Sequence, residues 1–367
     1  MPTESTGQEH LTPVKIKSTS ATERGGFRKC RRSWFLTVVH RLDAQDGNVN
    51  FFLGTIYHRA LEAYYRAQMA GLPDDDRDLA ALDAYQDAYD EYMARLASQL
   101  GALWTYGEQG FREAGELGME MLQNYLERER RDPLLDHVNA VEFRVNVPVP
   151  HPVTGRKAGV LSVQADAVGT KDGLLSVADH KTASSNVSSA HLDLDDQLTA
   201  EVYAWWKDSG EFPEQAIYNV SLKKAPHAPK ELQPDKKTGK RKLSKAKNQV
   251  TTYALYRGEI TLLGLDVADY TDFLVFLKER EENGEDALFR REATFRTPAQ
   301  MAAFERDLYQ EWRDMKDVAS HPERAYPNPT SMNCQSCGVR SICTTMQDDG
   351  DVAAIIRAGF VIADPRR

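Results

Sequence analysis

Apolar residues recur at helical spacing from about Phe51 to Tyr65, where Ile56, Ala60, Leu61 and Tyr64 share a face. Pro73 and three aspartates interrupt the pattern. A stretch from about 77 to 131, rich in Ala, Leu, Tyr and Glu, then reads as a largely helical block that Pro133 ends. The period changes after Asn139. Val141, Phe143, Val145 and Val147 alternate with polar residues, as in a half-buried strand. Val160–Val168 and Leu174–Lys181 read as two more strands, joined through Thr170-Lys171-Asp172-Gly173, and Asp-Gly between apolar runs predicts a tight hairpin. A helix over about Asp193–Asp208 follows. Strands are expected at Ala216–Leu222 and Val250–Leu263, and helices near Val267–Glu282 and Pro298–Asp317. The proline-rich segment around the last cysteines reads as loop. The pattern predicts a mixed α/β core with a helical insertion and no internal repeat.

The expected organisation is a disordered N-terminus (1–24), one domain (25–345) with a helical insertion at about 75–132 and a basic loop at about 223–248, and a tail (346–367). A chain of 367 residues with 41% apolar and 28% charged positions can build a sizeable core without staples. Neither a signal-peptide core nor a membrane-length apolar run is visible, so a soluble cytoplasmic protein is expected. The formal charge of −9 does not suggest a protein coated in nucleic acid and does not exclude a locally basic channel. Between Lys223 and Lys247 ten Lys/Arg face two acids. Lys223, Lys224, Lys236, Lys237, Lys240, Arg241 and Lys242 are candidate phosphate contacts, the alternative being a solvated mobile loop.

Candidate chemistry lies in two places. Asp166 falls near the end of the second strand, and Asp179 and Lys181 near the end of the third. Residues two apart on a strand share a face, and the hairpin can bring Asp166 beside them. Converging carboxylates repel unless a cation sits between them, and hard oxygen donors suit Mg²⁺ or Mn²⁺. Such a site could hydrolyse a phosphodiester; the bland alternative is an ion pair at a surface turn. His58 and Gln197 lie on helices flanking these strands and carry no signal alone. The second place is the cysteines: Cys334, Cys337 and Cys343 cluster near the end of the chain, and Cys30 lies far upstream. Their spacing reads as metal or redox chemistry rather than disulfides; zinc and free thiols remain alternatives.

In this order, Gly-Thr-x-x-His-x-x-Leu-Glu at Gly54–Glu62, Asp166, Asp179-His180-Lys181-Thr182, Gln197 and Cys-x2-Cys-x5-Cys after an early Cys30 resemble the RecB-like branch of the PD-(D/E)XK nucleases. The arrangement is similar to the iron–sulfur nuclease domains of AddB and of CRISPR-associated RecB-like exonucleases, including phage-encoded relatives. The resemblance implies a restriction-endonuclease-like mixed sheet flanked by helices and closed by an iron–sulfur loop. It implies that His58, Asp166, Asp179 and the His180 carbonyl ligate Mg²⁺ or Mn²⁺, and that Lys181 is catalytic. It implies that Gln197 positions the lysine or the DNA, and that Cys30, Cys334, Cys337 and Cys343 hold a 4Fe–4S cluster. The family's tyrosine four residues after the glutamine is replaced by Glu201; Tyr203, the nearest tyrosine, is a candidate DNA contact, although on a helix it points away from position 201. The implied activity is a DNA exonuclease on single strands or duplex ends, in recombination, repair or phage DNA processing. No Walker-type loop is visible, so a separate helicase would be a partner. The rival readings are a non-catalytic DNA-end-binding or assembly subunit and a redox sensor.

Overall fold

A computed structural model describes residues 15–44, 48–100, 104–185, 190–234, 236, 239–282 and 288–363, excepting the side chains at 100 and 104–106. The expected disorder of residues 1–14 and the candidate Lys237 lie outside the described residues. Helices α1 (Ala21–Lys29) and α2 (Arg31–Trp34), a short strand β1 (Leu42–Ala44) and three long helices, α3 (Val49–Met69), α4 (Asp74–Leu100) and α5 (Trp104–Arg131), come first. Strands β2 (His137–Pro150), β3 (Lys157–Lys171) and β4 (Leu174–Ala183) run antiparallel in succession. Helix α6 (Asp196–Ser209) then crosses over to β5 (Gln215–Leu222), which lies parallel to β4; a parallel pair needs such a connection. Next come β6 (Glu231–Leu232), β7 (Lys242–Leu243), α7 (Tyr253–Leu262), α8 (Thr271–Glu282), β8 (Phe289–Phe295) and α9 (Pro298–Ser320). The last elements are α10 (Ser331–Gln335), α11 (Arg340–Gln347), α12 (Val352–Gly359) and β9 (Phe360–Ile362).

The main sheet has the order β2-β3-β4-β5-β8, with β8 antiparallel to β5. Its predicted β3–β4 hairpin turns at Asp172 (φ 52°) and Gly173 (φ 80°). Two left-handed residues match the twist of the flanking strands, and Asp and Gly tolerate that conformation best. Successive residues face opposite layers. Val168, Val177 and Ala216 pack with Leu198 and Val202 of α6 and Leu308 and Trp312 of α9. Ala167, Ala178 and Ile217 pack with Phe52, Ile56 and Tyr57 of α3 and Leu122 and Tyr125 of α5. The sheet is thus a mixed one covered by helices on both faces, as expected. Among the described residues no helix is long and apolar enough to cross a membrane.

Four expectations need correction. Val250–Leu263 is not a strand: Thr252 caps α7 by accepting from Leu255 N–H, and Tyr256 and Ile260, one turn apart, are its buried residues. The edge strand β8 was not foreseen, because Phe-Arg-Arg-Glu-Ala-Thr-Phe alternates poorly. The basic segment carries the β6–β7 pair, and Leu243 is buried with Tyr256, Tyr270 and Phe273 in a separate cluster. Finally, residues 20–24 and 352–362, expected to be disordered or tail-like, form regular elements. Ser20 and Glu23 form a capping box on α1, and Arg24 is buried in ion pairs with Asp196 (3.0 Å) and Glu311 (2.5 Å). Instead of a tail, α12 and β9 fold back, β9 pairing with β1 and Val352 packing with Leu36, Leu42 and Ile342.

Removing residues 348–367 should therefore lower stability by about 3–6 kcal/mol, the order expected for exposing two apolar side chains. Thermal melts of the two lengths check this; equal midpoints would return the segment to the status of a tail.

Candidate active site

The β3–β4 ladder runs from Lys171 opposite Leu174 to Ala167 opposite Ala178 and stops. One more step would set Asp166 against Asp179, and like charges directly opposed are unfavourable. Here the strands part. The Asp166 Oδ2 accepts from the His180 backbone N–H at 2.7 Å. Asp179 and Lys181 project together as their spacing predicts, and Lys181 Nζ donates to Asp179 Oδ1 at 2.8 Å.

Helices on the two faces complete the cluster. Asp195 caps α6 and fixes its first turn. There the Gln197 Oε1 accepts from Lys181 Nζ at 3.1 Å, while Nε2 donates to Asp179 Oδ1 at 2.7 Å and to Glu201 Oε1 at 3.0 Å. From α3, His58 Nδ1 comes within 3.6 Å of Asp166 Oδ2. The α6 side opens into a cavity of about 820 Å³ lined by Gln197, Glu201, Arg144, Asn146, Gln164 and the start of α1.

Charge is unevenly shared. Burial pushes the Asp166 carboxyl upward, but the adjacent His58, the His180 ring and the His180 N–H outweigh it and hold it well below the usual range. Asp179 is 2% exposed, and its Oδ2 has no hydrogen-bond partner among the described residues. Burial raises its pKa to about 6; the Lys181 charge opposes that rise and the Asp166 charge adds to it. Burial works against the Lys181 ammonium, yet Asp179 raises its pKa overall. Burial likewise disfavours a charged His58, and Asp166 and Asp179 more than compensate.

The His180 ring is not part of the cluster. It points into the opposite layer, stacks on Tyr65 (centroids 5.2 Å apart, 17° between planes) and meets Asn219 Nδ2 at Nδ1 (2.9 Å). Asn219 also donates to Tyr125 OH (2.8 Å), which contacts Tyr65 OH (2.6 Å). Burial pulls the His180 pKa down to about 3, so the ring is neutral near pH 7. It anchors the backbone between the two chemically loaded side chains.

The structure brings His58, Asp166, Asp179, Lys181 and Gln197 together. It does not bring Tyr203, a candidate DNA contact: its hydroxyl donates to Glu305 at 2.6 Å, and its ring packs on Phe304, toward α9. Glu201, two residues earlier on α6, faces the site instead, 1% exposed, with Oε2 unpartnered among the described residues. Burial, then the charges of Asp179 and Asp166, raise its pKa far above the ordinary value. Sequence reasoning missed Glu142. It takes a left-handed conformation in mid-strand (φ 51°), and its carboxyl is raised by burial and by Asp166 and Glu62. Only the β2–β3 register places it there, and no local signal could have found it.

Several basic candidates are already engaged. Lys223 Nζ donates to Asn50 Oδ1 (2.7 Å), and Arg241 pairs with Glu231 (2.5 Å). The four cysteines, none in a disulfide, line one open cavity of about 450 Å³ between the α1–α2 corner and α10–α11. Among the described residues no three His, Cys, Asp or Glu side chains stand as a ready-made site for a single metal ion.

The family model of the PD-(D/E)XK nuclease superfamily matches residues 18–344, and the chain belongs to that superfamily. No curated protein matches the chain significantly.

Glu201 provides a pH test. Its folded pKa is raised, so its contribution to stability is fully present below its unfolded value of about 4.5 and is lost as pH rises through the folded value. Relative to wild type, Glu201→Gln should melt at the same temperature near pH 4.5. It should become the more stable protein as pH climbs toward 9. A constant gap across that range would show that Glu201 is ordinarily ionised.

Proposed function

We propose that this superfamily member is a metal-dependent deoxyribonuclease, acting as an exonuclease on single strands or duplex ends. The observation that carries the reading is the Asp166–Asp179–Lys181 cluster at the parted strands, with a buried carboxylate oxygen left without a partner. Its donors fit Mg²⁺ or Mn²⁺, which bind through one or two carboxylates and keep waters for a substrate phosphate. Asp166 and Asp179 would hold the ion, with His58 and the His180 carbonyl beside them. When bound, the ion supplies neutralisation of phosphate charge and a more acidic water.

The chain's own residues do the rest. Asp166 stays ionised through the whole neutral range, so one ligand is always charged. Lys181 stays protonated and offers an ammonium to the charge growing on the phosphate. Gln197 holds Lys181 and Asp179 in register with each other. Asp179→Ala and Lys181→Ala should each lower DNA cleavage by two orders of magnitude or more, measured on end-labelled DNA with Mg²⁺ or Mn²⁺. Full activity in both would sink the assignment. A wild-type protein that binds DNA ends but never cuts them would favour the assembly-subunit reading. The setting in recombination, repair or phage DNA processing, and a separate helicase, rest on the resemblance and on the missing Walker-type loop.

The cysteines are assigned to a 4Fe–4S cluster. All four thiols line one cavity, and burial raises the Cys343 pKa while Arg32 beside it works the other way. A single zinc would need thiolates converging at about 2.3 Å; a cluster is a larger body bridging more widely spaced sulfurs. It would tie residue 30 to residues 334–343, adding to contacts already there, such as Asn328 and Asn333 donating to the Lys29 carbonyl (3.0 Å each). About four irons and matching acid-labile sulfide per chain are expected after anaerobic purification, and Cys334→Ser should lose them together with solubility. Stoichiometric zinc would overturn this part and leave the nuclease site untouched.

A further inference from the structure

The face of α3 that carries His58 continues toward the helix start. Positions 51, 55, 58 and 62 lie on one side of a helix. His58 sits 3.6 Å from Asp166, and a Cβ on Gly54 would stand 3.8 Å from the Thr182 hydroxyl, one residue past Lys181. This face therefore runs along the open ends of β3 and β4, and Phe51 lies about 10 Å beyond His58 along the helix axis. Phe51 is 73% exposed, whereas Phe52, Leu53 and Ile56 are buried and hold the helix to the sheet. Among the described residues, packing thus gives no reason for an aromatic ring at this position.

A cation is bonded to the preceding residue, Asn50. Leu222 pairs with Ala183 at the end of β4, and Lys223 follows it, its Nζ bonded to Asn50 Oδ1 at 2.7 Å. The Asn48 side chain accepts from the N–H groups of Asn50 and Phe51, fixing this first turn. The lysine is thereby tied to the residue before Phe51, so an exposed ring and an ammonium both belong to the first turn of α3. Aromatic rings beside cations recognise unpaired strands, because every base has a face to stack and every nucleotide a phosphate. Bases inside a duplex are already stacked and cannot reach the ring.

We propose that Phe51 stacks on an unpaired base of the bound strand while Lys223 contacts a neighbouring phosphate, so that the site selects single strands or frayed ends. The proposal rests on the nuclease reading for where the strand lies.

The test is binding of a labelled oligothymidylate and of a blunt-ended hairpin duplex, by fluorescence anisotropy in EDTA, where metal-dependent cutting is suppressed. Phe51→Ala should weaken oligothymidylate binding about tenfold, which is about 1.4 kcal/mol and within the range for one stacked base. Duplex binding should change less than about twofold. Phe51→Trp should restore binding and Phe51→Leu should not, which separates stacking from simple apolar contact. Equal losses on both DNAs, no loss on either, or full rescue by leucine would overturn the proposal. Phe51-dependent binding by a wild-type protein that cuts nothing in Mn²⁺ would support the stacking and overturn the nuclease reading, so the two failures are distinct.

Discussion

The site depends on two carboxylates forced toward each other where an antiparallel ladder breaks. Unit charges about 4 Å apart repel by about 4 kcal/mol even at an effective dielectric near 20, so ionising the second carboxylate of such a pair is disfavoured. The protein resolves this by asymmetry. Asp166 takes the His180 N–H and the His58 imidazole and keeps its charge; Asp179 is buried, spends one oxygen on Lys181 and Gln197, and has its pKa raised to about 6. What remains on Asp179 is an oxygen, Oδ2, with no partner among the described residues. A bare structural ion pair has no use for that arrangement.

Strand β4 divides its side chains between two tasks. Asp179 and Lys181 bond to Gln197 of α6 and form the charged cluster; Ala178 and His180 face α3 and α5 and carry the support. The His180 ring is locked through Asn219, Tyr65 and Tyr125, a network that reaches Arg291 of β8 through the Asn219 carbonyl oxygen (3.2 Å). The backbone N–H that meets Asp166 is thus positioned by a ring on the far side of the sheet. The same logic explains Glu201: burial beside two acids disfavours its charged form, and its contact fixes which way the Gln197 amide points.

How much of this was legible follows the range of the forces. Strong local patterns were read correctly: the two-residue period of β2, the Asp-Gly turn, the helical face of α3 and the Asp179/Lys181 spacing. The errors lie where a segment's partner is distant in sequence. Strand β8 is an edge that pairs with β5 after a long insertion, and α7 hides its apolar residues in a small cluster of its own. The ends looked unstructured because a polar capping box and a three-residue strand carry no hydrophobic period. Helix phase already set Tyr203 apart from position 201, and α6 does turn 201 to Gln197 and 203 to Glu305.

The charge balance bears on how a polyanion reaches such a site. Asp166 and Asp179, with Glu142 and Glu62 beside them, set a negative field across the mouth, and the chain as a whole carries −9. Lys181 is committed to Asp179 and Gln197, and Arg241 to Glu231, so neither is a free attractor at long range. In the proposed reading, a phosphate entering without a cation meets repulsion, and a cation entering without a phosphate finds few protein ligands. Each completes what the other lacks, so their affinities must be linked, and reciprocally. Binding is then gated by the pair rather than by a basic coat, which is how an acidic chain can act on DNA at one point while staying off it elsewhere.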